Sequence, residues 1–119
     1  MSVEKALLSC FQGKSETGFV YQLREDFPAF KGHFEGHPVL PAICQMSLCA
    51  DAAGRLLGRA VELAQISRAK FIKPVVPNRR LEVRLTQRQA DTFLAELVNA
   101  ENGERISQII FSVRGKETL

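Results

Sequence analysis

A histidine in a glycine- and proline-rich loop precedes the predicted start of a helix. Residues 32–43 read GHFEGHPVLPAI, with His33 near the beginning and Pro41 at a position that suits the first helical turn. An imidazole titrates near neutral pH and can accept or return a proton. The backbone N–H groups of a first helical turn lack partners within the helix and can stabilise a developing oxyanion. Together these groups suit proton abstraction next to a thioester carbonyl.

Two polar residues of the predicted helix are further candidates. Ser47 and Asp51 are four positions apart, which places them on one side of a helix, about 6 Å apart along its axis. A serine hydroxyl can hold a water or a hydroxyl group, or bond back to its own helix backbone. Asp51 can assist the reaction or pair with Arg55 one turn later. The sequence leaves these alternatives open.

The cysteines and the second histidine have weaker claims to a function. Cys10, Cys44 and Cys49 lie among apolar neighbours without the spacing of metal ligands, so neither a disulfide framework nor a zinc site is expected. Cys44 and Cys49 are predicted to be small core residues of the helix. We expect His37 to be an exposed loop residue.

The hydrophobic pattern predicts the elements that position these groups. Apolar residues at spacings of three and four mark one face of a helix that ends at Gly58: Ile43, Met46, Ala50, Ala53 and Leu57. Two strands, 6–11 and 19–23, form an opening hairpin before an irregular loop. Four consecutive antiparallel strands follow the helix, at 61–72, 81–89, 93–100 and 105–114.

Two strands, an apolar helix and four more strands can bury the helix only if the sheet wraps around it. The sequence therefore predicts an α+β hotdog fold, a curled antiparallel sheet around a long central helix. Residues 1–119 are expected to form one such domain. A curled sheet of this size leaves edges that invite pairing, so a homodimer or a higher homo-oligomer is predicted.

The loop and helix resemble the FabA/FabZ family of 3-hydroxyacyl-(acyl carrier protein) dehydratases, which includes an ApeI-like branch. The family motif reads approximately GHFPGxPVMPGxLxxEAMxQ, and a second motif, KFxKPVxP, matches residues 70–77. The resemblance covers nearly the whole chain. It implies that His33 is the catalytic histidine and that the Ala42 N–H polarises the thioester carbonyl. It also implies substrate contacts by Phe34, Gly36, Pro41, Ala42 and Ile43.

Ser47 departs from the motif, because the family places a catalytic Glu or Asp there. A serine cannot supply a carboxylate's proton near neutral pH, and general acid–base catalysis contributes about 10²–10⁴ in rate. The resemblance implies a 3-hydroxyacyl-thioester dehydratase of fatty acid or polyketide-like biosynthesis, with catalytic candidates His33, Ser47 and Asp51 and no cofactor. One alternative is a catalytically impaired hotdog that binds acyl chains or pairs with an active homologue. The other is a hotdog acyl thioesterase.

Hydropathy and charge indicate which cellular location and which classes of binding partner to expect. No apolar stretch reaches membrane-spanning length and residues 1–8 do not resemble a signal peptide, so a cytoplasmic protein is predicted. A net charge of +3 with scattered basic residues argues against nucleic acid. The expected partner is an acyl carrier protein or a coenzyme A thioester. A basic rim for an acidic carrier would consist of Arg68, Lys70, Lys73, Arg79 and Arg80.

Overall fold

The computed structural model describes residues 6, 9–27 and 40–116, which form one sheet around one long helix. The helix, α1, covers Ala42–Leu57. Six antiparallel strands curl around it, as predicted for a hotdog fold. They are β1 Phe11–Lys14, β2 Phe19–Gln22, β3 Val61–Phe71, β4 Arg80–Gln89, β5 Thr92–Asn99 and β6 Arg105–Gly115.

The strands do not pair in chain order. The sheet runs β1-β2-β4-β5-β6-β3, so β4, β5 and β6 form a meander while β3 crosses to the far edge beside β6. Four consecutive strands were predicted, and the pattern of apolar residues gave no information on this crossover. Among the described residues, the second edge of β3 pairs with no other strand.

The buried face of α1 agrees with the predicted one except at its first residue. The helix buries Cys44, Gln45, Leu48, Cys49, Ala50, Ala52 and Ala53. Ile43, which was assigned to the apolar face, is instead 62% exposed. Ala50 and Ala53 are buried as predicted, and Met46 and Leu57 pack against the core, so Ile43 is the one residue of the five that was wrongly assigned. Cys44 and Cys49 are core residues as predicted, and burial raises the pKa of both thiols.

The beginning of the chain also differs from the prediction. Residues 6–11 were expected to be a strand, but Ala6, Ser9 and Cys10 are helical and β1 begins at Phe11. The Ser9 hydroxyl donates to the Ala6 carbonyl at 2.7 Å, a local bond of a helical turn. A short apolar run fits a helix or a strand equally well, which explains the error. No helix in the described ranges has the length and hydrophobicity needed to cross a bilayer.

The turn between β3 and β4 contacts the described residues on both sides of residues 28–39. The Asn78 N–H donates to the Leu23 carbonyl at 2.7 Å, and the Leu40 N–H donates to the Val75 carbonyl at 2.8 Å. Val75 is 1% exposed. Val75 of the second motif thus contacts Leu40 of the first, and Asn78, directly after the second motif, contacts Leu23. This contact gives a physical reason for the two motifs to occur together.

Asn78 tests this anchor because it adopts a left-handed conformation, with φ 66°. Substituting Asn78→Ala is expected to lower the free energy of unfolding by up to about 1 kcal/mol, because asparagine tolerates this conformation better than alanine does. The control Asn78→Gly keeps the same N–H donor without that cost. Urea unfolding of both variants would contradict this account if they were equally stable.

Candidate active site at the start of the central helix

The start of α1 presents unpaired backbone donors. Pro41 is the N-cap, with φ −61° and ψ 152°, and makes no side-chain capping bond. The N–H groups of Ala42 and Ile43 have no acceptor in the described part of the chain. Both residues are exposed, and the first turn contains no acidic side chain. The positive end of the helix is therefore open to an anion or a polarised carbonyl.

The structure describes only part of the predicted site. Pro41, Ala42 and Ile43 lie together at the helix start, and Ser47 and Asp51 follow on the same helix. The other predicted residues, His33, Phe34, Gly36 and His37, fall within residues 28–39 and lie outside the described residues.

Ser47 uses its hydroxyl within the helix. Its Oγ donates to the Ile43 carbonyl at 3.0 Å, the backbone bond that was one of the two alternatives for this serine. The side chain is half-buried, and the oxygen retains lone pairs as acceptors. In this arrangement Ser47 has no proton left to donate to a bound ligand.

Asp51 is held by two donors on one oxygen. Its Oδ2 accepts from the Tyr21 hydroxyl at 2.6 Å and from Arg55 Nε at 2.8 Å. The Arg55 guanidinium carbon lies 3.6 Å from the centre of the Phe11 ring, whose centre is 5.4 Å from that of Tyr21. These four residues, the Asp51 cluster, tie α1 to the β1–β2 hairpin. The pairing with Arg55 is the second role that the sequence left open.

Tyr21 is the residue of this cluster that sequence reasoning missed. It is the only tyrosine in the chain, and its side chain is fully buried. Burial and the hydrogen bond to the Asp51 carboxylate raise the pKa of Tyr21 well above its ordinary value. A tyrosine in a predicted strand resembles any core aromatic residue, and its pairing with Asp51 depends on how the sheet wraps.

Tyrosinate absorbance offers a direct test. Because the folded pKa of Tyr21 is raised, the native protein should show no tyrosinate signal near 295 nm as the pH passes about 10. The unfolded protein in urea should titrate near that value. By linkage, the stabilisation is complete below about pH 10 and falls as the pH rises above it. A native signal that overlays the unfolded one would contradict the cluster. Tyr21→Phe, which lacks a phenol, provides the blank.

Ile43, Ser47 and Asp51 form one stripe along α1, because they recur every four residues. Ile43 is exposed, and the other two are half-buried. Buried residues, among them Cys44 and Ala50, adjoin this stripe on both sides. We call Ile43, Ser47 and Asp51 the open stripe of α1. Ser47 is thus partly accessible, whereas the Asp51 carboxylate is directed toward Tyr21 of β2.

A second polar contact at this end of α1 was also missed. Gln45 is 4% exposed, and its Oε1 accepts a hydrogen bond from the fully buried Ser107 on β6 at 2.8 Å. A glutamine near a helix start usually signals an exposed position, so the sequence gave no reason to place it inside.

The five basic residues suggested as a rim are all exposed. Lys73 forms an ion pair with Glu104, beside a cavity of about 310 Å³ that Arg79 also lines. The hydrogen bond to Lys73 lowers the pKa of Glu104. The exposed charges are available to a partner, although Lys73 is already paired.

Comparison with known proteins shows the following similarities. Residues 10–109 match the model of the ApeI-like family, described as ApeI dehydratase. A 3-hydroxyacyl-[acyl-carrier-protein] dehydratase FabZ from Bartonella bacilliformis is 34% identical over 91 residues, or 68% of this chain and 59% of the relative. The FabZ of Erythrobacter litoralis is 37% identical over 82 residues, or 60% of this chain and 53% of the relative. The chain thus spans little more than half of these relatives.

Solved structures share the fold. The dehydratase heterocomplex ApeI:P from Xenorhabdus doucetiae superposes with a TM-score of 0.69 at 19% identity, covering 87% of this chain and 92% of that one. The PaaI protein of Escherichia coli gives a TM-score of 0.60 at 14% identity, covering 94% of this chain and 88% of that one. At such identities the similarity establishes the fold, and the predicted hotdog architecture is confirmed.

Proposed function

Because the chain belongs to the ApeI-like dehydratase family, we propose that it dehydrates 3-hydroxyacyl thioesters to 2-enoyl thioesters. The observation that carries the proposal is the open start of α1, where the Ala42 and Ile43 N–H groups lack acceptors among the described residues. This is the geometry needed to polarise a thioester carbonyl. The proposal treats residues 1–119 as a single hotdog domain.

In the proposed reaction, His33 removes the proton from the carbon between the thioester carbonyl and the hydroxyl-bearing carbon. The electron pair moves toward the carbonyl, whose oxygen accepts the Ala42 N–H. The carbon–oxygen bond to the hydroxyl then breaks, and the double bond forms. The proton that His33 removed passes to the departing hydroxyl, which leaves as water, and the imidazole becomes neutral again. This chemistry needs a base, an oxyanion donor and a group that assists departure.

Assisting the departure of the hydroxyl group is the step of the reaction that this site supports least. The contacts of Ser47 and Asp51 direct both side chains to protein partners, the Ile43 carbonyl and the Tyr21 and Arg55 donors. Ser47 must exchange its bond to Ile43 before it can donate to substrate. Asp51 keeps Oδ1 for a water or a substrate hydroxyl. We therefore propose a slow dehydratase in which these two residues assist departure indirectly.

A subunit partner would cover the open stripe of α1. We propose a homodimer formed along the unpaired edge of β3, where Phe71 and the following Ile72 are each 44% exposed. Such pairing would bring Ser47 and Asp51 of one subunit toward His33 of the other. The Xenorhabdus neighbour is described as a heterocomplex, so pairing with a different hotdog subunit is the competing assembly. Light scattering of the purified chain distinguishes a dimer from a monomer.

A substrate carried on an acyl carrier protein fits the charge of this surface. Arg68, Lys70, Arg79 and Arg80 are exposed and form no ion pair within the described residues. We propose that they, with Lys73, receive the acidic carrier. Attraction of this kind weakens as ionic strength rises.

The second candidate is a silent hotdog subunit that binds acyl chains or supports an active homologue. It is favoured by the contacts of Ser47 and Asp51, because each polar group that could assist departure already has a protein partner. In that case the helix start would bind the thioester without turnover. A hotdog thioesterase is a third outcome, which the assay below also detects.

One assay separates these functions. The purified protein is incubated with a 3-hydroxyacyl and a 2-enoyl pantetheine thioester, and enoyl absorbance and free thiol are followed together. Interconversion of the two thioesters supports the dehydratase. Release of thiol supports a thioesterase. Binding without either reaction supports the silent subunit and overturns the proposed activity.

Restoring a carboxylate at position 47 is expected to raise the dehydration rate. Ser47→Glu supplies an acid that serine cannot provide, and we expect a gain of up to about 10² in kcat, within the usual range for general acid catalysis. The control Ser47→Gln has nearly the same shape and no acidic proton. Equal rates for the two variants would mean that the missing carboxylate does not limit the reaction.

A further inference from the structure

A buried hydrogen bond joins the first part of α1 to the sheet. The Ser107 hydroxyl on β6 donates to Gln45 Oε1 at 2.8 Å, and both side chains are buried. Apart from this pair, Glu82 is the one buried polar residue in the described part of the chain. Gln45 follows Ala42 by three residues, so the two positions are neighbours on the helix surface. The bond therefore acts close to the N–H group that is proposed to polarise the carbonyl.

Ser107 is a rigid anchor, because its strand is paired on both sides. It lies opposite Leu97 in the β5–β6 ladder and opposite Phe71 in the β3–β6 ladder. The carbonyl of the preceding residue, Ile106, accepts two further N–H groups from the chain directly after β3. A side chain that is fixed by the sheet in this way can hold a neighbouring helix in one place.

The start of α1 is attached to this part of the sheet at two points. The Leu40 N–H donates to the Val75 carbonyl at 2.8 Å just before the helix, and Gln45 is held by Ser107 within the helix. Val75 belongs to the turn that follows β3, and the last residue of β3 lies opposite Ser107. Ala42 lies between the two attached positions in the sequence, so both contacts bear on where its N–H group lies.

The hydrogen bond supplies a direction that the apolar packing of α1 lacks. Most buried residues of the helix are alanine or cysteine, whose small side chains interlock little with the sheet: Cys44, Cys49, Ala50, Ala52 and Ala53. Burial of apolar surface is non-directional, whereas a hydrogen bond requires a defined distance and angle. A rotation of α1 by about 20° would move the Cα of Ala42 by about 0.8 Å, because helix Cα atoms lie about 2.3 Å from the axis. A misplacement of about 1 Å can lower a rate by about 10²-fold.

We propose that Ser107 is a positioning residue for the dehydration, which acts through Gln45 to hold the first turn of α1 at one rotation. The Ala42 N–H is then directed at the thioester carbonyl. This role rests on the proposed function, because it assumes that the carbonyl binds at the start of α1. Ser107 acts through the helix and not on the reacting atoms.

The test compares Ser107→Ala with a double variant that combines Gln45→Met and Ser107→Ala. The single change leaves Gln45 Oε1 buried without this donor, which should lower both kcat and the urea midpoint of unfolding. The double change replaces both polar partners by apolar groups, so the urea midpoint should return toward the wild-type value. We expect kcat for hydration of a 2-enoyl thioester to stay about 10–10²-fold below wild type in both variants, because neither fixes the rotation of α1.

Binding is measured separately, by isothermal titration calorimetry with the pantetheine amide of 3-hydroxyoctanoate, an unreactive ligand in which nitrogen replaces the thioester sulfur. Its Kd should change much less than kcat, because the acyl chain and the pantetheine arm keep their contacts. The control Ser112→Ala removes a hydroxyl from a half-buried serine of the same strand and should leave kcat unchanged.

Recovery of kcat together with the urea midpoint in the double variant would mean that the pair only stabilises the fold, and would overturn the positioning role. A loss of kcat matched by an equal rise in Kd would also overturn it. If Ser107→Ala fails to fold, the double variant still gives the comparison with wild type. Absence of turnover in the wild-type protein would overturn the proposed function as well, whereas wild-type turnover with a fully active double variant would overturn the role of Ser107 alone.

Discussion

Replacing Ala42 with proline is expected to lower kcat for dehydration by about 10²–10³-fold while the protein remains folded. Proline removes the backbone N–H of this residue, and loss of one oxyanion donor typically has an effect of this size. The Ala42 N–H makes no hydrogen bond to the described residues, so no internal bond is lost. The change therefore separates the proposed catalytic role of the donor from a structural one.

The local backbone geometry accommodates a proline at position 42 without strain. Ala42 is the first residue of α1, the position where proline is most readily accommodated in a helix. The preceding Pro41 already has an extended ψ of 152°, the conformation that a following proline requires. Thermal unfolding should be nearly unchanged. Ala42→Gly, which restores the residue of the family motif and keeps the N–H, serves as the control. A folded Ala42→Pro protein with wild-type kcat would refute the oxyanion assignment.

Replacing His33 with alanine is expected to reduce turnover of 2-enoyl thioesters by about 10²–10⁴-fold, the usual contribution of a general base. Substrate binding should change much less, because the proposed imidazole acts on a proton and not on the acyl chain. Stopped-flow absorbance of the enoyl group gives kcat, and calorimetry with an unreactive amide gives Kd.

His37→Ala provides the matched control, since it removes an imidazole four positions further along the sequence. The chain has two histidines, so the pair of variants tests every imidazole available. If His37→Ala caused the larger loss, the motif would have been aligned to the wrong histidine. Equal and small losses would favour the silent subunit.

The helix shows what the sequence can and cannot predict. Its ends follow from local chemistry, and the Gly58 stop is confirmed by a left-handed φ of 72° and an N–H bond to the Gly54 carbonyl. Its buried face depends on which side the sheet covers. The small residues Cys49, Ala52 and Ala53 pack inside while Ile43 remains exposed. Local patterns thus locate an element, and long-range packing decides its rotation.

The same distinction applies to the candidate site. The helix start could be predicted because Pro41 and the residues after it act locally. The contact between Tyr21 and Asp51 joins positions thirty residues apart, and that between Gln45 and Ser107 joins positions sixty-two apart. Neither contact has a sequence signature, because each depends on how β2 and β6 approach α1. The resemblance indicated which residues to consider, and the structure showed the hydrogen-bond partners of Ser47 and Asp51.

The place of β3 beside β6 has a consequence for how the chain reaches its native state. During synthesis β3 emerges before β4 and β5, yet the strand that pairs with it, β6, is the last described strand along the chain. The pairing of β3 must therefore wait until β6 has been synthesised. Strands so distant in sequence pair slowly, and the apolar surfaces that they cover stay exposed until they do. Nascent chains that stall before β6 should be clients of chaperones.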